Sequence, residues 1–158
     1  MHQRLAERLR EQADDIRRLY AGLDEETLAG RQRAEKWSLK EVIAHIWRCQ
    51  EVFEGRIEAL LTQTSPSIVP YDPAHDMEFP EKLKSPAAEL LEGFLTEREQ
   101  LVTLLDSLSN GDWRRSGIHP EYPHYDLQFQ VEAMTYHEAH HIYQIINQRA
   151  PMGRIPPR

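Results

Sequence analysis

Tyr136-His137-Glu138-Ala139-His140-His141-Ile142-Tyr143-Gln144 lies inside an uninterrupted helical pattern that runs from about Asp126 to Arg149. His137 and His141 are one helical turn apart, so both imidazoles leave the same face, with Cβ atoms about 5–6 Å apart. That separation lets two ring nitrogens converge on one cation at bonds of about 2.0–2.1 Å. Two ligands do not make a tight site. Metal sites in bundles are assembled from side chains on facing helices, so the rest of the chain must supply partner helices and a third donor.

Working outward, Trp113 to Tyr125 holds prolines and aromatics without helical period and predicts an ordered connection, with Asp126 placed to cap the last helix. Downstream, Pro151, Pro156 and Pro157 end regular structure and leave an irregular tail over 150–158. Before the connection, Ser85-Pro86 predicts a helix start, Pro in the first position after a capping serine. Leu90, Leu91, Phe94, Leu95, Leu101, Leu104, Leu105 and Leu108 carry that helix to Asn110-Gly111. From 63 to 85 the periodicity disappears, and Pro66, Pro70, Pro73 and Pro80 punctuate a stretch containing Tyr71, Asp72, His75, Asp76 and Phe79. Structureless connections longer than about 12–15 residues are uncommon in compact domains; this one is a candidate lid.

Trp37-Ser38-Leu39-Lys40-Glu41 predicts another start, because Ser38 and Glu41 have capping-box spacing. The helix it opens carries Val42, His45, Cys49, Val52, Phe53, Ile57, Leu60 and Leu61 to about Thr62. At the N-terminus, Leu5, Leu9, Ala13, Ile16 and Leu19 form an apolar stripe from His2 to Tyr20, stopped near Gly22. A short element between Asp24 and Gly30 follows it. Four long helices without strand-like alternation or a Gly-rich phosphate loop predict an all-α fold, a four-helix bundle. At 158 residues the chain is expected to form a single domain over 1–158.

Composition removes several classes of function. The formal charge of −7 argues against binding a phosphate backbone, which needs clustered Lys and Arg. Arg4, Arg8, Arg10, Arg17 and Arg18 are interleaved with Glu7, Glu11, Asp14 and Asp15, the pattern of a solvated helix face. No apolar run approaches the roughly 18 residues of a membrane span, and MHQRLAERLR lacks a signal-peptide apolar region. The single cysteine, Cys49, excludes an intramolecular disulfide and suits a reducing compartment, so a cytoplasmic protein is expected.

His45, the one histidine on the core stripe of a different long helix, is the obvious third donor, although taken alone it reads better as a core histidine bonded to a carbonyl. His75 and Asp76 would reach the site only if the lid folds inward. Three histidines from two helices leave coordination positions for water or substrate, the catalytic pattern rather than the closed structural one. His140 is rotated about 100° from His141 and is assigned a supporting or surface role. Gln144, one turn beyond His141, is placed to hold a ligand imidazole. Glu41, one turn before His45, could orient that ring, although capping is its larger role. Cys49 on the core stripe reads as a small apolar filler. Tyr71, Asp72, His75 and Tyr143 are pocket candidates. No H-E-x-x-H peptidase motif and no Ser or Cys nucleophile motif is present, so any catalysis must rest on the metal.

Trp37-Ser38-x-x-Glu41-x-x-x-His45, followed by His137-x-x-His140-His141-x-x-Gln144, resembles the DinB-like superfamily of metal-binding four-helix bundles. The resemblance covers nearly the whole chain. It implies an up-down-down-up bundle with one long crossover and a metal triad of His45, His137 and His141. It further implies zinc or nickel, with iron or manganese as alternatives, and frequent homodimers. Some members resemble thiol S-transferases or isomerases that use bacillithiol or mycothiol; others are described only as metal-dependent hydrolases. The implied function is a metal-dependent enzyme activating water or a low-molecular-weight thiol on a small substrate. The competing expectation is a non-catalytic, dimeric metal-binding module of the stress-response type. Members often carry Arg-Gly where this chain has Ile142-Tyr143, which changes the pocket wall and prevents transfer of any one member's substrate.

Overall fold

The structure, a computed structural model, describes residues 2–157. Its helices are α1 (His2–Tyr20), α2 (Glu25–Ala29), α3 (Leu39–Thr62), α4 (Glu78–Lys82), α5 (Ala87–Ser107) and α6 (Leu127–Arg149). A two-residue strand pair, β1 (Ser116–Gly117) and β2 (Tyr125–Asp126), precedes α6. The four long helices are the expected ones, and three of the expected helix starts have the expected atoms behind them. Ser38 and Glu41 close a reciprocal capping box at the start of α3. Asp24 accepts from the Thr27 amide to start α2. Asp126 accepts from the Phe129 amide to start α6.

Two apolar clusters show how the helices run. One joins Ile16 and Tyr20 at the end of α1, Val42 and Ile43 at the start of α3, Leu90 and Phe94 at the start of α5, and Ile145 at the end of α6. The other joins Ala6 and Leu9 at the start of α1, Ile57 and Leu60 at the end of α3, Leu101 and Leu105 at the end of α5, and Leu127 and Met134 in the first half of α6. Thus α1 runs up, α3 and α5 both run down, and α6 returns. Each of α1 and α3 packs on both α5 and α6. The diagonals are α1 with α3 and α5 with α6, so helices adjacent in sequence are not always adjacent in space.

Two successive descending helices force the connection between them to climb the whole bundle, about 36 Å for the 24 residues of α3 at 1.5 Å per residue. That connection is the segment expected to lack structure, and it does not. It contains a 3-10 turn at Pro73–His75, capped by Asp72, and then the short helix α4. Elements of one or two turns are too short to show a period, which is why the pattern missed them. At its lower end the crossover pairs with the loop before α6: Ile68 N–H donates to Ile118 O, and Ile118 N–H to Pro66 O, both at 2.8 Å. A Cβ on Gly117 would lie 2.8 Å from the Pro66 carbonyl oxygen, so this close passage requires glycine. The strand pair here was not expected, since two residues leave no room for alternation.

The start of α5 also differs from expectation. Ser85 makes no cap; the N-cap position is Pro86, without a side-chain bond. The amide of Ala87, a buried residue, donates instead to Glu25 Oε2 of α2, at 2.6 Å. A tertiary contact has taken the role that local sequence offered to a serine. At the other terminus the irregular tail contains a 3-10 turn at Ala150–Met152. Arg149 pins it by donating to the carbonyls of Gly153 and Arg154; Arg158 lies outside the described residues.

Candidate metal centre

His45 stands in the second turn of α3, on the buried stripe opened by the capping box. It faces α6, where His137 and His141 project from successive turns. His45 and His141 are each 7% exposed and His137 is half-buried. One ring nitrogen from each of the three lies within 4.8 Å of the others. The Nε2 atoms of His137 and His141 are 3.2 Å apart. Two nitrogens bound tetrahedrally at about 2.0–2.1 Å would be separated by about 3.3 Å, so this pair already has ligand spacing.

Protonation state fits the same use. Burial pushes His45 down to about 4, with the neighbouring His141 lowering it further and Asp76 opposing. Burial pushes His137 down to about 3, helped by His141, His45 and His140. His141 is likewise lowered by burial, against the raising effect of its bond to Gln144. The three rings are therefore neutral near pH 7, as imidazole ligands must be. Gln144 Oε1 lies 2.9 Å from His141 Nδ1. An amide oxygen accepts, so His141 presents Nδ1–H to it and keeps the lone pair on Nε2, facing His137.

The remaining candidates separate clearly. His140 is exposed, with its ring edge-on to His141 at 5.2 Å between centroids. Glu41 accepts from the Ser38 amide and pairs with Arg31, so its carboxylate is engaged in capping and an ion pair rather than in orienting His45. His75 and Asp72 bond each other at 2.6 Å on the surface, the imidazole 85% exposed, and do not join the cluster. Tyr143 points to solvent. Tyr71 is half-buried and donates its hydroxyl to Asp76 at 2.6 Å. The Cys49 thiol meets His45 Nε2 at 3.5 Å, and burial pushes it up to about 12, so it is a protonated, inert neighbour.

The crossover does reach the site, through Asp76 and Phe79 of the candidate lid and through Arg48, which the sequence did not single out. Arg48, one turn into α3 beyond His45, donates Nε to Asp76 at 2.9 Å and pulls the crossover down. Phe79 then stacks on Trp37 at 5.4 Å and stands edge-on to His45 at 6.4 Å. Phe53 closes another side, edge-on to His137 at 5.6 Å. A cationic residue beside an apolar stripe, followed by a loop rich in acids, was the available signal for the Arg48–Asp76 tie. A third feature was missed altogether: Arg98 and Glu138 form a buried, bidentate ion pair beside His137.

The profile of the DinB superfamily matches residues 8–145. The chain belongs to the DinB superfamily. Among similar proteins, one of Geobacillus thermodenitrificans named "Putative metal-dependent hydrolase" is 28% identical over 152 residues, covering 92% of this chain and 82% of the relative. The protein YuaE of Bacillus subtilis, of uncharacterised function, is 26% identical, covering 78% and 84%. Among solved structures, YfiT from Bacillus subtilis superposes with a TM-score of 0.82 at 20% identity, covering 96% of this chain and 87% of that one. YfiT is described as a probable metal-dependent hydrolase with an unusual four-helix bundle topology. The shared fold is thus a DinB-type bundle with consecutive descending helices. No helix among the described residues is long and apolar enough to cross a membrane.

Proposed function

We propose that this protein is a metal-dependent enzyme in which His45, His137 and His141 hold a divalent cation and the chemistry is hydrolysis or thiol transfer on a small substrate. The observation that carries this reading is the convergence of three neutral imidazoles, two buried and one half-buried, with ligand spacing between His137 and His141. Nitrogen donors favour zinc, nickel or iron over manganese, which prefers oxygen. A cation held this way supplies Lewis acidity, activating water or a thiol and polarising a carbonyl.

The chain's own side chains define the rest. Gln144 fixes the tautomer and rotation of His141, a role that holds a ligand in place. Trp37, Phe53 and Phe79 wall the histidines and exclude bulk water, favouring an apolar portion of substrate against the rings. Cys49 stays protonated, so a reacting thiol has to arrive with the substrate or co-substrate. The names of the relatives favour hydrolysis as the first reaction to assay. The reading places the protein in the cytoplasm and includes a homodimer, for which the outward stripe Tyr136, His140, Tyr143 and Ile146 of α6 is the available face.

The test combines elemental analysis with an esterase and thiol-conjugation panel on one preparation, with sedimentation for oligomeric state. Wild type is expected to carry about one divalent ion per chain and His141→Ala none. Metal retained by His141→Ala overturns the ligand assignment. Metal without turnover in any assay moves the protein to the non-catalytic metal-binding reading.

A further inference from the structure

Arg98, Glu138 and Gln50 are polar residues on the buried stripes of α5, α6 and α3. Arg98 is 2% exposed and Glu138 3%. The guanidinium donates Nη1 to Glu138 Oε1 at 2.9 Å and Nη2 to Oε2 at 2.6 Å. Its Nη1 also meets the Leu9 carbonyl of α1 at 3.0 Å, and its Nε meets Gln50 Oε1 of α3 at 2.8 Å. One side chain therefore ties all four long helices, and it does so across the α5–α6 diagonal. The carboxylate it grips directly follows His137, and the amide it grips directly follows Cys49, which touches His45.

We infer that the Arg98–Glu138 pair is a positioning device for the histidine site: it pins the register of α6 against α3 and so sets the distance from His45 to His137 and His141. This rests on reading those histidines as a metal site. Apolar residues of similar volume often fill the place of a buried ion pair without loss of stability, so stability alone does not explain charges here. A bidentate fork adds geometry. A slip of α6 by one residue's rise is about 1.5 Å, while a ligand constellation tolerates about 0.5 Å. Two parallel bonds of 2.9 and 2.6 Å do not survive that slip, whereas packed aliphatic side chains would re-pack around it.

The test uses the full chain with Arg98→Met and Glu138→Leu combined, which removes both charges together. Zinc affinity is measured by competition with a chromophoric chelator, the cobalt-substituted protein is followed by its visible spectrum, and ring-nitrogen shifts of the three histidines are recorded without metal. Folding is checked by circular dichroism. The expected result is a cooperatively folded variant with zinc affinity reduced about ten- to hundredfold, an altered cobalt spectrum and shifted histidine signals. A folded variant with wild-type affinity, spectrum and histidine shifts overturns the inference. Should the double variant not fold, Glu138→Gln carries the same measurements and the same criteria. If wild type binds no zinc, the metal reading falls by itself; the metal-free histidine shifts then decide the pin, and unchanged shifts reject it.

Discussion

His137 and Glu138 are consecutive on α6, yet they enter two polar centres of opposite character. Glu138 meets a partner within the chain: all three guanidinium nitrogens of Arg98 have acceptors, and both carboxylate oxygens have donors. His137 meets His45 and His141: burial lowers the proton affinity of all three, His141 adds to the lowering at His45 and His137, and one nitrogen from each ring converges with the others. Burying polar groups costs free energy unless they are bonded. The first centre meets that cost with charges supplied by the fold. The second holds its lone pairs in a geometry that a cation outside the chain would complete. A closed ion-pair network and a cluster of convergent imidazoles thus stand one residue apart on the same helix.

The sharpest way to break this contrast is to remove one charge from the closed network. Arg98→Met alone strands a buried carboxylate, and urea unfolding is expected to show a loss of about 3–5 kcal/mol. The combined replacement of both charges should lose far less. A loss from the single change below about 1 kcal/mol would show that Glu138 finds water or protonates cheaply. The histidine cluster, on the proposed reading, should respond to added zinc instead. Zinc at a hundredfold excess over its Kd is expected to add about 2.7 kcal/mol to the unfolding free energy of wild type, and nothing to that of His141→Ala. An equal gain in both proteins would put the zinc elsewhere.

Acid provides a third comparison. His45 and His137 have folded values near 4 and 3, below the ordinary 6.5 that applies in the unfolded chain. Between those limits the unfolded chain binds protons that the folded chain refuses. The stability this contributes to the metal-free protein is therefore complete above about pH 6.5 and declines as pH falls toward 4. Melting temperatures from pH 7 to pH 4 should fall less steeply for His137→Gln than for wild type. The smallest effect belongs to the capping box: Ser38→Ala should cost about 1 kcal/mol and leave zinc affinity unchanged. A matching loss of zinc affinity would return Glu41 to a role in holding His45.

Much of the bundle could be read from local signals because those signals act locally. Ser38 with Glu41, Asp24 and Asp126 cap the helices they precede, and the apolar stripes repeat at the helical period over many turns. Ser85 failed as a cap because Glu25, far upstream, reached the same amide first. The crossover's 3-10 turn and α4 escaped notice for want of length. Arg98, Glu138 and Gln50 did leave a trace, since each interrupts an apolar stripe: Phe94, Arg98, Leu101 on α5; Met134, Glu138, His141 on α6; Ile46, Gln50, Phe53 on α3. A polar residue at a core position predicts a buried partner, but its identity depends on which helices face one another.

That dependence divides what this sequence determined alone from what tertiary structure decided. The 3.6-residue period and its caps determined the helices, and the spacing of His137 and His141 determined that they share a face. These follow from backbone geometry within a few turns. The convergence of His45 with that pair, the closure of Phe79 over it through Arg48 and Asp76, and the grip of Arg98 on Glu138 join residues about 30 to 100 positions apart in the chain. Each needs α3 and α5 to descend together and α6 to return between α1 and α3. No local preference encodes that order; it arises only when apolar faces from the whole chain are buried against one another.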